Sequence, residues 1–245
     1  MMKLDKASPI PLYHQLKEKL AQLVDEKYKP GDLLPSEPEI ERMFDVSRMT
    51  VRLAMGALVE EGIIVKMRGR GTFVQPPKIS HSLSSITSWT QQMKERGLVP
   101  KTVDAELARM EPPRKIAAAL GLAPQEHVIR IKRIRHANDE PMCIMINYIR
   151  ESAVPGLLDR GLNDESLYTV LSRDYGLRIA KAQETVEARE ASEYEADVLK
   201  IQPYSPVLFV TRLSYLSDET PFEVVHVISR ADRYQYQIML RDSNL

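Results

Sequence analysis

Apolar residues recur at three- and four-residue intervals near the start of the chain, where Leu12, Leu16, Leu20, Leu23 and Val24 fall on one helix face. This helix is expected to end near Tyr28, because Pro30 disfavours helix in the residue before it and Gly31 supports a turn. Ser36, followed three residues later by Glu39, has the pattern of a capping box, and Pro38 lies in the first turn, where no intrahelical donor is lost. A second helix therefore opens there and buries Ile40, Met43 and Phe44. Asp45-Val46-Ser47 breaks the periodicity, and Ser47 caps a third helix that carries Val51, Ala54, Met55, Leu58 and Val59 inward. The segments 62–68 and 71–74 then read as two strands around Arg68-Gly69-Arg70-Gly71, a hairpin whose glycines permit positive φ at the tip.

Val74-Gln75-Pro76-Pro77-Lys78-Ile79 continues as an extended, stiff connection, since paired prolines restrict the backbone. From about Ser84 a helix is predicted through Lys94, followed by strands alternating with short helices. The chain echoes itself in this half: Ala117, Leu120, Pro124, Val128, Arg133, Asp139 and Glu140 recur as Ala196, Leu199, Pro203, Val207, Arg212, Asp218 and Glu219, at a constant offset of 79 residues. Each unit reads strand, short helix, long strand, Asp-Glu turn and returning strand, and two such units build one largely antiparallel sheet. The fold class is therefore α+β, with residues 1–75 as one domain, 76–83 as linker and 84–245 as a second domain.

Composition narrows the function. The 245 residues are 43% hydrophobic and 28% charged without a block of like charge, so two globular domains are expected. The chain shows no apolar signal region and no run long enough to span a bilayer, so a cytoplasmic location and no membrane contact are expected. A single cysteine, Cys143, cannot form an internal disulfide or a thiolate cluster; it reads as a core residue, and neither cofactor nor metal is expected. The formal net charge of zero hides a local excess, because residues 42–78 hold seven basic side chains against three acidic ones. In that segment Arg48 and Arg52 lie one turn apart at the start of the third helix with Thr50 between them, where a recognition helix meets bases and phosphates. The same arginines would also suit an ordinary solvated face.

Four motifs, in order, give a resemblance. Pro11-Leu12-Tyr13, Leu34-Pro35-Ser36-Glu37, Val46-Ser47-Arg48-Met49-Thr50-Val51-Arg52 and Gly69-Arg70-Gly71-Thr72-Phe73-Val74 resemble GntR-type regulators with a winged helix-turn-helix. The resemblance implies that Ser36, Arg48, Thr50 and Arg52 meet double-stranded operator DNA, with Gly69, Arg70 and Gly71 of the wing adding minor-groove contacts. Pro38 departs from the family, many members of which carry a basic residue there.

Thr87-Ser88-Trp89-Thr90, Arg133-Ile134-Arg135, Ser166-Leu167-Tyr168, Pro221-Phe222-Glu223 and Arg230-Ala231-Asp232-Arg233-Tyr234 make the second half similar to the UTRA effector-binding domain of the HutC branch, whose fold resembles chorismate lyase. Arg133 and Arg135 alternate on one strand and so share a face, which suits either an anion clamp or a solvated sheet. Ser166 has the look of a helix cap near an anion, Tyr168 of a hydrogen-bond partner to the same group, and Glu223 of an acceptor for hydroxyls or an amine. With Trp89 and Thr90, the resemblance implies an effector site for a small anionic metabolite such as a sugar phosphate, in a homodimeric repressor. Met145 and Ser229 stand where amino-sugar-phosphate sensors carry glutamate and tyrosine. The competing reading, a lyase-like enzyme carrying a DNA-binding head, finds no cofactor loop and no nucleophile-base pair in the sequence.

Overall fold

The structure, a computed structural model, describes residues 4–67, 69–82, 86–163 and 166–239. Chain contacts divide it into two compact units, residues 1–79 and 80–245.

The first unit holds α1 (Leu12–Lys27), α2 (Glu37–Phe44), α3 (Arg48–Glu60) and the antiparallel hairpin β1 (Ile64–Met67) and β2 (Gly71–Val74). Its core gathers Leu16, Leu20, Ile40, Phe44, Val51 and Leu58, one stripe from each helix. The caps follow the sequence. Ser36 N–H donates to Glu39 Oε2 at 2.7 Å, and Thr50 N–H donates to Ser47 Oγ at 3.3 Å. Two positions differ from expectation: Met43 and Val59 are exposed at the margins of their helices, because Ile40, Phe44, Ala54, Met55 and Leu58 already fill the stripe that faces the core. Arg68 lies outside the described residues. Gly71 has φ +115°, a backbone conformation that favours glycine, while the tip of the exposed Leu33 side chain, 2.6 Å from where a Cβ would stand, is free to move aside.

The second unit is a six-stranded, wholly antiparallel sheet with helices on both faces. Its elements are β3 (Ile79–Ser82), α4 (Trp89–Glu95), β4 (Pro100–Met110), α5 (Arg114–Leu120), β5 (Val128–Ala137), β6 (Glu140–Arg150), α6 (Leu157–Arg160), α7 (Leu167–Tyr175), β7 (Lys181–Glu190), α8 (Glu193–Leu199), β8 (Pro206–Tyr215), β9 (Pro221–Arg230) and β10 (Tyr234–Gln237). The strand order is β4-β5-β6-β9-β8-β7, and β3 pairs separately with β10. The echo is visible in this order: β4-α5-β5-β6 and β7-α8-β8-β9 are mirrored about the central β6–β9 pair. One face buries Ile116, Leu120, Ala196 and Leu199 of α5 and α8 against Val128, Ile144, Val207 and Val224. The other packs Leu157, Leu167, Val170 and Leu171 of α6 and α7 on Ile129, Ile131 and Ile149.

The helix expected from about Ser84 is shorter than the periodicity suggested. It begins at Trp89, where Ser88 Oγ accepts from Gln91 N–H at 3.2 Å, and residues 86–88 are not helical. Ser84 itself, with Asp164, Glu165 and the chain from residue 240, lies outside the described residues. Cys143 is fully buried, as a core residue. Among the described residues, no helix is long and apolar enough to cross a membrane.

Candidate functional site

Two surfaces carry chemistry, one on each unit. On the first, the start of α3 presents Arg48 and Arg52 to solvent, with Met49 and Leu53 exposed beside them by 61% and 51%. Among the described residues neither arginine makes an ion pair, so both guanidiniums are available to an outside anion. Thr50 is tied to the cap through its hydroxyl, 2.9 Å from Ser47 Oγ. Ser36 is exposed, and its hydroxyl donates to Glu39 Oε2 at 2.6 Å. Gly69, Arg70 and Gly71 form the exposed tip of the hairpin, with the Arg70 guanidinium 5.9 Å from the Phe73 ring. A charged ridge on a helix start and a basic hairpin tip are thus displayed by one compact unit.

On the second unit a cavity of about 700 Å³, its open mouth included, lies between the sheet face of β5, β6, β9, β8 and β7 and the covering segments from β3, α4, α7 and β10. Arg133 and Arg135 line it, and both are almost completely buried, with 4% and 3% exposure. Arg133 Nη2 donates to Asn147 Oδ1 at 2.9 Å and lies 3.6 Å from Met145 Sδ. Arg135 donates to the hydroxyls of Thr102 and, at 2.7 Å, Thr90, while its guanidinium stacks 4.5 Å from the Trp89 ring centre. Trp89 is itself held, its indole N–H donating to Tyr234 Oη at 2.7 Å. No carboxylate among the described residues pairs with either arginine, and the Nε of each is buried without a partner. Burial, with the neighbouring Arg135 charge, pushes the Arg133 guanidinium down to about 10, and burial also lowers Arg135. Glu223, one hydrogen bond further on through Asn147, offsets part of the Arg133 charge, but two buried like charges without a direct ion pair remain costly unless an anion arrives.

Of the other sequence-nominated residues, Ser166 and Tyr168 line the cavity at the start of α7, and Ser166 occupies the cap position without a side-chain cap bond. Glu223 does not line the cavity. It is fully buried behind the wall, where it accepts from Asn147 Nδ2 at 2.7 Å, Tyr168 Oη at 3.0 Å and Ser214 Oγ at 3.3 Å. Its place is therefore to position Asn147 and Tyr168. Burial raises the Glu223 carboxyl, the Asn147 and Tyr168 hydrogen bonds and the Arg212 and Arg133 charges opposing the shift without cancelling it. Met145 is on the wall, whereas Ser229 is buried next to Cys143 on the neighbouring strand, outside the lining.

Sequence reasoning missed several wall residues. His81, Gln92, Glu184, Arg212 and Tyr236 come from five separate elements, β3, α4, β7, β8 and β10. Only Arg212 carried a signal, as the echo of Arg133: both point to the same face, on strands placed symmetrically about the β6–β9 seam.

Comparison with known proteins adds an independent line. Residues 12–74 match the family model "Bacterial regulatory proteins, gntR family", and residues 95–235 match the UTRA domain. The HTH-type transcriptional repressor NagR of Bacillus subtilis (strain 168) is 37% identical over 236 residues, covering 96% of this chain and 97% of that protein. The HTH-type transcriptional regulator Rv0792c of Mycobacterium tuberculosis is 35% identical over 236 residues, 94% of this chain and 86% of its own length. The crystal structure of PhnF from Mycobacterium smegmatis superposes with a TM-score of 0.66 at 25% identity, covering 93% of this chain and all of that one.

Proposed function

The chain belongs to the GntR family of bacterial transcriptional regulators and carries a UTRA domain behind its winged helix-turn-helix, and we propose that it is a homodimeric repressor of an inverted-repeat operator, switched by a sugar phosphate or similar small anion. It is a regulator and not an enzyme, as its named relatives are. The observation that carries the effector reading is the pair of buried arginines that face a cavity and, among the described residues, form no ion pair with a carboxylate. A doubly charged phosphate ester satisfies both guanidiniums and their orphaned Nε–H donors better than a singly charged carboxylate. Ser166 supplies a neutral hydrogen bond to the same group, and Tyr168, whose hydroxyl proton goes to Glu223, forms the wall beside it.

In this reading Arg48 and Arg52 hold operator bases and phosphates, Ser36 and Thr50 contact the backbone, and the wing residues Gly69, Arg70 and Gly71 reach the adjacent groove. A twofold dimer places two such heads on two half-sites, which makes the operator an inverted repeat. The connection between the two functions is short: His81, which lines the cavity, stands one residue past the start of the second unit. An occupant of the cavity therefore touches the chain just where it leaves the DNA-binding unit, and a difference in affinity between the free and operator-bound forms is what switches it.

The test measures binding of the full chain to DNA from its own promoter region by fluorescence anisotropy, with glucose 6-phosphate, other sugar phosphates and the parent sugars titrated in. A phosphorylated compound that lowers DNA affinity while its parent sugar does not is the expected result. Unchanged DNA affinity across saturating phosphates, as judged by thermal shift, overturns the switch.

A further inference from the structure

The cavity has a second polar end, remote from Arg133 and Arg135. Glu184 lines it from β7, four strands from β5 in the sheet order, a backbone separation of about 19 Å at ~4.8 Å per strand before curvature shortens it. Arg212, opposite Glu184 in register, directs both its contacts with that carboxylate to one oxygen: Nε donates to Oε1 at 2.5 Å, and Nη2 meets the same atom, while Nη1 donates to Tyr168 Oη at 3.5 Å. Glu184 Oε2 is buried and has no hydrogen-bond partner. A buried carboxylate oxygen without a donor is an exception among native proteins and calls for one.

His81 adds a second acceptor. Gln92 Nε2 donates to Thr87 Oγ1 at 3.0 Å and towards the Thr87 carbonyl, so the Gln92 oxygen faces His81, whose Nδ1 donates to it at 2.8 Å. In the neutral ring this tautomer leaves Nε2 as an acceptor. Between the two polar ends one row of the floor is apolar: Met145, Val227 and Val210 follow Arg133 across the sheet in register, with Val225 beside Arg212 and Asn147 next to Val225.

We propose that Glu184, with His81, forms a second subsite that binds a hydrogen-bond donor, a hydroxyl or an ammonium, at the end of the effector opposite its phosphate. The effector is then a two-ended molecule: an anion at the arginines, a segment presenting C–H surface to the valines and Met145, and a donor group at Glu184. This inference rests on the reading of Arg133 and Arg135 as an anion clamp.

Isothermal titration of the full chain tests it with three series of probes from hexyl to decyl: plain alkyl phosphates, ω-hydroxyalkyl phosphates and ω-aminoalkyl phosphates, with inorganic phosphate as the anion alone. At one chain length a terminal donor should tighten binding about tenfold or more over the plain alkyl phosphate, as a hydrogen bond to a charged acceptor does. Whether hydroxyl or amine gives the gain identifies the donor. The readout in variants is the ratio between donor-bearing and plain probe, whatever their common affinity. That ratio should fall to about one in Glu184→Leu/Arg212→Leu, which removes the ion pair as a unit; if that protein does not fold, Glu184→Gln, which keeps the volume, should reduce it. A ratio of one in the wild-type protein that still binds plain alkyl phosphates overturns the second subsite and leaves the anion clamp standing. A gain that survives the variants also overturns it. Failure of every phosphate to bind removes both readings.

Discussion

Replacing Arg133 by methionine is expected to make the ligand-free protein more stable and unresponsive to phosphate esters. The guanidinium is 4% exposed, and its pKa is pushed down to about 10, first by burial and then by the Arg135 charge. At about 1.4 kcal/mol per tenfold, this depression from the ordinary arginine value means that folding disfavours the charged form by about 3 kcal/mol. Because the depressed value still lies above neutral pH, the group stays charged and that penalty is present throughout the physiological range; it is relieved only as pH rises past about 10. Methionine has a similar length, fills the site and sheds the penalty. Against this stands the lost hydrogen bond to Asn147 Oδ1, worth about 1–2 kcal/mol for an acceptor that lines the cavity and can take water instead. The balance is a gain of about 1–2 kcal/mol, a rise of several degrees in melting temperature at ~2–4 °C per kcal/mol for a unit of this size. Urea and thermal denaturation of Arg133→Met with and without sugar phosphates measure both halves. A ligand-free variant destabilised by more than about 2 kcal/mol would falsify the reasoning, because the arginine would then be a structural member of the core and not a charge held ready for a ligand.

Three further outcomes follow from the same structure. Arg52→Ala, which removes an exposed guanidinium that makes no ion pair, should weaken operator binding and, where the residue holds a phosphate, reduce the slope of log affinity against log salt by about one; unchanged affinity and slope would place α3 outside the groove. Gly71→Ala should destabilise the first unit by roughly 1–3 kcal/mol, since a side chain is strained at its φ of +115°, and a wild-type melting curve would refute that strain. Glu223 has a raised pKa in the folded state, so the folded chain holds that proton to higher pH than the unfolded one; stability from this group is present below the ordinary carboxylate range and lost as pH rises through the window up to the folded value. Stability measured across that window should therefore fall less steeply in Glu223→Gln than in the wild-type protein, and identical slopes would show that the three donors hold Glu223 ionised throughout.

Much of the head was legible because its signals are local. The Ser36 and Ser47 caps, the break at Asp45 and the glycines at 69 and 71 each act within a few residues, and the helices and hairpin appear where those signals place them. The errors were of stripe width: Met43 and Val59 sit at the edge of an apolar face, and how far a face is covered depends on the neighbouring helix. In the second unit the echo gave the element order of both halves, and alternation put Arg133 and Arg135 on one face. Glu223 was nominated as a reader of the ligand, yet it stands behind Asn147 and Tyr168, which hydrogen-bond to it and take the cavity wall themselves.

Periodicity along the chain determined which segments become helix or strand, and the order of motifs determined that a DNA-binding head precedes a sheet domain. Tertiary structure alone decided that the two arginines are buried instead of solvated, since that depends on α4, α7 and β10 closing over one face of the sheet. It alone brought His81, Gln92, Glu184 and Arg212 to a common wall, from positions more than a hundred residues apart at the extremes. The physical reason is that a side chain's direction is set by its own backbone, whereas its solvation, and with it the cost of its charge, is set by whatever distant segment packs above it.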